Sequence, residues 1–517
     1  MGTTSLDGVR FLQASEARSA GEKAAACWSM HFRQHVSLPG WVRMGQLVRE
    51  VAGDKATSFT NVYSGGMGAT LDTFAEAASG YFTMQMPGYG YRWAGHFRMA
   101  EAKNFWPGDL YRAARRGTGV AGAFMLFPCR LREPRGMELA MMSSVMRGAR
   151  TLWFHGLGPR WTGWEWSFDD RRNVATMKAI RTTADRLAAV EDTLFSGQVA
   201  PPEIAVLHSR AGDLWAAQSE YSALGGLMLE KRCAHAALAF CGYPADSLPE
   251  EFCAQRLAWY RVLYITDPHV SREARRAIAA WVRTGGTLVL FGGAATRRED
   301  NEPECFLPAL GTARASIVQD TKETHFHEWH GSNWQPFASI ATLDTLRWKD
   351  AALPVLARRE RLTAPDAEVL ARFANDEPAV ITFACGQGRV CRIGCALAPA
   401  LVKTAAPAFN ESLFQRHYSS DVLALYTAPL ERCGLAPQIE TRQGVERTLF
   451  LAEKSAALLL ADYTSPAVEK DTIRIRTDRA FSKAKTWDGE NIALHREGEF
   501  LILDDVQLAT IQAVLLE

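Results

Sequence analysis

The sequence predicts an α/β protein: a partial (β/α) barrel, then an open parallel-sheet domain, then a small C-terminal β-sandwich. Three observations carry that prediction. From Ser58 to about Gly197, short apolar strands alternate with helical patterns, the order of a parallel sheet or a barrel. After Pro201-Pro202, the runs Glu203–Ser209, Tyr260–Ile265 and Gly285–Gly293 read as buried strands, with the helical run Glu273–Arg283 between the last two. From Gln438 onward the helical patterns stop and short β segments replace them.

Residues 1–57 hold one helical pattern, Trp41 to Val51. Over 58–200 the strands are Ser58–Tyr63, Tyr81–Met86 (ended by Pro87-Gly88), Val120–Phe127 and Thr151–His155. The intervening helices are Thr70–Ala78, Asp109–Arg116 and Met137–Arg147, followed by the long amphipathic run Arg171–Leu194. The middle region, 201–435, contains an irregular insertion, 299–365. It resumes with strands Glu368–Phe373, Pro378–Phe383 and Gly388–Gly394 around the turn Cys385-Gly386-Gln387-Gly388, and with a helix, Ser412–Arg432. In 436–517 the strands include Ala457–Ala461, Thr472–Arg476 and Phe500–Leu503. Alternation at Ile473 and Ile475 gives one buried and one wet face.

Bulk properties exclude several classes of function. Fifty-eight Lys and Arg oppose 57 Asp and Glu, a net charge of +1, so no strong field draws nucleic acid or an anionic membrane. No apolar run approaches a membrane span. Met1 to Lys23 is polar and lacks the apolar core of a signal peptide, which points to a cytoplasmic chain. The ten cysteines are scattered without a Cys-x-x-Cys pair, and even Cys385, Cys391 and Cys395 read as buried thiols. His325-Phe-His327-Glu328-Trp-His330 lacks zincin spacing and reads as a polar loop; Ser64-Gly-Gly-Met-Gly68 lacks the dinucleotide fingerprint. No metal or cofactor is expected. Trp153, Trp161, Trp164 and Trp166 crowd a Gly-rich segment, an arrangement that suits stacking on the apolar faces of sugars in a surface cleft.

The order of parts resembles the β-galactosidases of glycoside hydrolase family 42. The likeness rests on Gly285-Gly-Thr-Leu-Val-Leu290, Glu368-Val-Leu-Ala-Arg-Phe373, Gly386-Gln-Gly-Arg389 and the stretch Met137 to Gly158. It implies that 58–200 forms strands five to eight of a TIM-type barrel and that 201–435 is the class I amidotransferase-like trimerisation domain. It also implies a carbohydrate ligand and a homo-oligomer, a trimer by family likeness. The family places its general acid, a Glu after an Asn, at the end of the fourth strand, and its nucleophilic Glu at the end of the seventh. No Asn-Glu pair precedes Ser58, and laying Phe124–Phe127 on the seventh strand puts Pro128 in the nucleophile's place.

Retaining hydrolysis needs two carboxyl groups about 5–5.5 Å apart, one to protonate and one to attack. The acids left in the region are Glu133, Glu138, Glu165, Asp169 and Asp170. Glu138 suits a helix start, and Asp169 and Asp170 suit N-caps. Glu133, otherwise a solvated charge among Arg130, Arg132 and Arg135, and Glu165, between Trp164 and Trp166, are the catalytic candidates. Asn61, Tyr63, His155, Trp161 and Trp164 are the candidate sugar contacts at the strand ends. Three readings follow: a glycosidase of the β-galactosidase type, a catalytically silent carbohydrate-binding or assembly protein on the same scaffold, or a piece of a longer glycosidase.

Overall fold

The computed structural model describes residues 12–36, 38–53, 58–59, 74, 78–79, 82–85, 105–118, 122–126, 134–154, 174–215, 226–320, 341–405, 418–465 and 467–517. Two helices, Ala20–His35 and Leu38–Ala52, precede the first strand, where the apolar pattern gives only one. The additional helix starts from a capping box: the Ser19 hydroxyl accepts from the Glu22 N–H at 3.3 Å, and the Glu22 carboxylate accepts from the Ser19 N–H at 2.9 Å. Ser19-x-x-Glu22 is a legible helix start inside a stretch whose composition reads as a polar tail.

Strands β1 (Ser58–Phe59), β2 (Phe82–Gln85), β3 (Gly122–Leu126) and β4 (Ala149–Phe154) form a sheet in that order, every pair parallel. Parallel neighbours need a crossover. Helix Phe105–Arg115 supplies it between β2 and β3, and helix Pro134–Met146 between β3 and β4. The first helix buries Leu110, Tyr111, Ala113 and Ala114 with Phe124 and Ala149. The second buries Met137, Ala140 and Met141 with Leu126. Downstream, the expected single run Arg171–Leu194 is described as two helices, Val174–Ala188 and Glu191–Ser196, with a turn between them.

The middle region is built on a nine-stranded sheet. Between β5 (Gln198–Val199) and the sheet lies Pro201-Pro202. The sheet uses β6 (Ile204–His208), β7 (Ala245–Pro249), β8 (Val262–Ile265), β9 (Thr287–Leu290), β11 (Asp344–Trp348), β12 (Ala351–Val355), β14 (Glu368–Phe373), β15 (Pro378–Cys385) and β16 (Gly388–Ile393), in the order β12-β11-β14-β15-β16-β9-β8-β6-β7. It is mixed, which corrects the expectation of a wholly parallel sheet. The strands β7, β6, β8, β9 and β16 run parallel, and the remaining pairings are antiparallel. The reversal follows from the turn between β15 and β16, too short for a crossover. Gly386 takes φ +62° there, and a Cβ on it would stand 2.6 Å from the Arg283 carbonyl oxygen.

Segment 299–365, read from sequence as irregular, contributes β11 and β12. It also carries β10 (Arg314–Gln319) and β13 (Arg359–Thr363), a separate antiparallel ribbon. Glu360 on β13 ties that ribbon to the sheet. Its carboxylate accepts from Arg392 on β16 at 2.8 and 2.5 Å and from the Gly293 N–H at 2.8 Å, with both side chains almost wholly excluded from solvent.

Beyond Gln438, two antiparallel sheets face each other. One orders Ile439–Glu440, Glu469–Arg476, Phe500–Leu508 and Leu494–Glu497. The other orders Asn491–Ile492, Ala484–Thr486, Ile511–Leu516, Ala456–Asp462 and Val445–Leu451, with β5 at its edge. Ile473, Ile475, Leu501 and Leu503 from the first meet Leu449, Leu458, Leu460 and Val514 from the second in one apolar cluster. The strand before the Pro-Pro linker thus completes a sheet built from the far end of the chain.

Glu360→Ala leaves the Arg392 guanidinium buried beside a void. Equilibrium urea unfolding is expected to show a loss of about 3–5 kcal/mol; a loss below about 1 kcal/mol would mean that water or another acid replaces the carboxylate.

Candidate functional site

In a parallel sheet all strands end on one edge, and loops leaving that edge carry the chemistry. Here that edge is marked by Phe59, Gln85, Leu126 and Phe154. The register pairs Leu126 with Phe154 and Gln85 with Phe124, so β3 and β4 finish level and β2 finishes just below them. The sequence continues from β3 as Phe127-Pro128 and from β4 as His155. The candidates Asn61, Tyr63, Glu133, His155, Trp161, Trp164 and Glu165 follow these strand ends in the chain and lie outside the described residues, as do Asp169, Asp170, the Ser64–Gly68 segment and the His325–His330 cluster. Of the acids weighed, Glu138 is described. It lies on helix Pro134–Met146, half-buried; burial pushes its carboxyl above the usual range, against the pull of Arg186 and Arg135 and a hydrogen bond to Thr510. Its partners place it at the contact with the C-terminal sheets.

Beside the start of β4, a buried ionic network joins all three parts of the chain. Asp109, on helix Phe105–Arg115, accepts from Arg147 Nε at 2.9 Å, ion-pairs with Arg112 at 2.9 Å, and meets His235 Nδ1 at 2.7 Å. Burial opposes its ionisation, but Arg147, Arg112 and His235 prevail and hold it at about 2. Burial keeps His235 below its ordinary value in spite of Asp109, so the neutral ring donates from Nδ1 and the positive charge comes from the arginines. Arg147 also pairs with Glu446 of the C-terminal region, whose second oxygen accepts from the Tyr463 hydroxyl at 3.0 Å. Three rings cover the network: Phe105, Phe240 and Tyr463 lie edge-on or tilted, with centroids 5.3–5.7 Å apart.

The nine-stranded sheet has its own C-terminal edge. From β6 the chain passes to β7 on one side and then returns to β8 on the other, which makes the end of β6 the switch point where open α/β sheets bind ligands. Protein groups fill that point. Lys231 Nζ lies 3.0 Å from Asp267 Oδ2 and 3.1 Å from His208 Nδ1. Burial drives His208 far below its ordinary value, so its ring is neutral and Nδ1 accepts from the ammonium. The Ser209 N–H donates to Asp267 at 3.2 Å and its hydroxyl to Glu250 at 3.2 Å, while the Ser271 N–H donates to Glu250 at 2.6 Å. Thr266-Asp267 follows β8, so the position in which an amidotransferase needs a thiol carries a carboxylate bound to a lysine. Nearby Cys253 is buried and held protonated. Among the described residues this arrangement positions backbone, and the Ser209 hydroxyl within it is wholly buried.

Sequence patterning does not show how these charges pair, although helix Gly226–Phe240 sets Glu230, Lys231, Arg232 and His235 in an otherwise apolar run, which is itself a signal. Glu230 caps helix Ala398–Ala405, accepting from the N–H groups of Leu397 and Ala398 at 3.3 and 2.9 Å and from the Tyr426 hydroxyl at 2.8 Å. Burial nevertheless raises its pKa to about 7.

No protein-family model matches the chain, and no curated protein matches it in sequence. Solved structures do match in fold. A catalytic mutant of Gan42B, a family 42 β-galactosidase from G. stearothermophilus, superposes with a TM-score of 0.68 at 13% identity, over 99% of this chain and 71% of that one. The cold-adapted β-galactosidase of Rahnella sp. R3 gives 0.67 at 14%, over the same shares. The α-L-fucosidase isoenzyme 2 of Paenibacillus thiaminolyticus gives 0.56 at 14%, over 96% and 72%. The chain therefore has the fold of the family 42 β-galactosidase structures, as the resemblance in sequence implied.

Because Glu230 binds its proton more tightly folded than unfolded, its burial costs nothing below pH 4.5, and the penalty grows as pH rises to about 7. Measured by urea unfolding across that window, the wild type should lose about 3 kcal/mol of stability relative to Glu230→Gln. A pH-independent difference between the two proteins would show an ordinary carboxyl.

Proposed function

We propose that this chain handles carbohydrate as a glycosidase-like protein of the β-galactosidase type, with its ligand at the carboxyl ends of β1–β4. The observation that carries this reading is the fold likeness, which spans 99% of the chain. In this reading β1–β4 are the last four strands of a TIM-type barrel, Asn61, Tyr63 and His155 contact sugar hydroxyls, and Trp161 and Trp164 stack on the ring. Hydrolysis would run through Glu133 and Glu165, one donating a proton to the leaving oxygen and the other acting as nucleophile or base. The nine-stranded sheet serves as a trimerisation domain, and the protein works in the cytoplasm as a homo-oligomer.

A second reading has its own support. Phe127-Pro128-Cys129 follows β3, where the family's nucleophile would stand, and proline has no group to attack a sugar carbon. On that ground the chain is a catalytically silent carbohydrate-binding or assembly protein that keeps the scaffold.

Chromogenic β-galactosides and α-L-fucosides, with calorimetric titration of the corresponding oligosaccharides, separate the readings. Turnover reduced at least about a thousandfold by Glu133→Gln or Glu165→Gln establishes hydrolysis. Oligosaccharide binding without turnover, weakened by Trp161→Ala, establishes the silent form. Neither turnover nor binding would refute both.

A further inference from the structure

A cleft of about 340 Å³ opens where β3 and β4 begin, at the edge of their sheet opposite the proposed sugar site. It is lined by Arg112, Arg115, Arg116, Arg147 and Arg150, and among its lining residues the one carboxylate is that of Asp246. Gln198, Ala200 and Pro201 are solvent-exposed at its rim. Gly122 makes room for the cluster: a Cβ there would stand 2.2 Å from Arg115 Nη1.

The carboxylates in and behind this cleft are already engaged. Asp246 accepts from Arg112 Nε at 3.0 Å, Arg116 Nη1 at 3.3 Å and the Tyr260 hydroxyl at 3.2 Å. Asp109 serves Arg147 and Arg112, and Glu446 serves Arg147. Arg150 is different. Its Nη2 donates to the Gly197 carbonyl oxygen at a long 3.4 Å, its guanidinium lies 5.1 Å from the Phe450 ring centroid, and its Nη1 is buried without a hydrogen-bond partner. Burial alone lowers its pKa, and burial draws Arg115 down to about 10. Arg112, Arg116 and Arg147 are balanced by these carboxylates, whereas Arg150 meets a carbonyl oxygen and a ring but no carboxylate among the described residues, so an anion inside the cleft would supply the counter-charge it lacks.

We infer that this arginine-lined cleft binds a small ligand bearing a phosphate or sulfate ester. Guanidinium forks match the oxygens of a tetrahedral anion, and the hydrogen bonds they form are charge-assisted and short. The cleft is larger than a bare phosphate needs, so its exposed rim accommodates the organic part of the ester. The site is independent of the sugar-binding proposal, lying at the other edge of the same strands.

The test titrates the full chain with inorganic phosphate, inorganic sulfate, a hexose phosphate and the parent hexose, at ionic strength held constant with sodium chloride. Calorimetry and thermal unfolding give the readouts. Phosphate or sulfate should raise Tm and saturate one site, and the hexose phosphate should bind more tightly than the inorganic ion; whichever inorganic anion binds better identifies the ester. Arg150→Gln should weaken binding about tenfold by removing a charged donor. Gln198→Glu sets a negative charge on the solvent-exposed rim and should weaken binding similarly even if the arginine variant unfolds. The inference is overturned if neither anion nor the hexose phosphate shifts Tm at about 10 mM, if Gln198→Glu binds as tightly as wild type, or if the hexose binds as well as its phosphate.

Discussion

The structure depends most on a chain of buried charges, Asp109–Arg147–Glu446. Each member comes from a different place: a crossover helix of the four-stranded sheet, the turn after the next such helix, and the C-terminal sheets. His235 of the middle region closes the fourth side. Burying ions is costly unless every one is paired, so the network is satisfied only when all parts are docked at once. Phe105, Phe240 and Tyr463 seal it from water and belong to a core that continues from Met142 through Val206 and Tyr264 to Leu459. The apolar core supplies the attraction, and the ions fix which surfaces meet.

The same logic separates two sets of strand ends that look alike in topology. At the switch point of the nine-stranded sheet, Lys231, Asp267, Ser209 and Glu250 satisfy one another and are themselves buried. At the start of β3 and β4, five arginines and one carboxylate line an open cleft among the described residues. A closed, balanced network stiffens a scaffold, whereas an open and unbalanced one calls for a counter-charge. The middle region therefore reads as architecture, and both proposed ligand sites lie at the edges of the four-stranded sheet.

The division of labour between those edges has a physical basis. Strand starts are drawn toward the middle and C-terminal parts by Arg112, Arg116 and Arg147, and helix Pro134–Met146 is anchored by Arg135 on the carbonyl oxygens of Asp462 and Ser465. These contacts tie the starts of the strands to the rest of the molecule, the fixed side of a βα scaffold whose chemistry is usually carried at the opposite strand ends.

Local pattern in the sequence determined the existence of the elements: the βα alternation that gives β1–β4, the apolar runs at Val262–Ile265 and Thr287–Leu290, and the change to β segments after Gln438. Those signals are short-range, so they survive without knowledge of the fold. The resemblance to family 42 was legible for the same reason, since it lies in the order of such elements. The pattern did not give β7, whose Ala-Asp-Ser-Leu-Pro is a strand because Arg112 and Arg116 hold buried Asp246 there. It did give the turn at Cys385–Gly388 that joins β15 to β16, but not the antiparallel strands β11 and β12 or the ribbon tied down by Glu360. It proposed sugar contacts and two acids after the strand ends without a way to measure their separation, and it passed over the arginine cleft entirely. Arg112, Arg116, Arg147 and Arg150 are ordinary charges in a linear reading; only tertiary packing brings them into one space, because their encounter is set by crossover helices and docking rather than by neighbours in the chain.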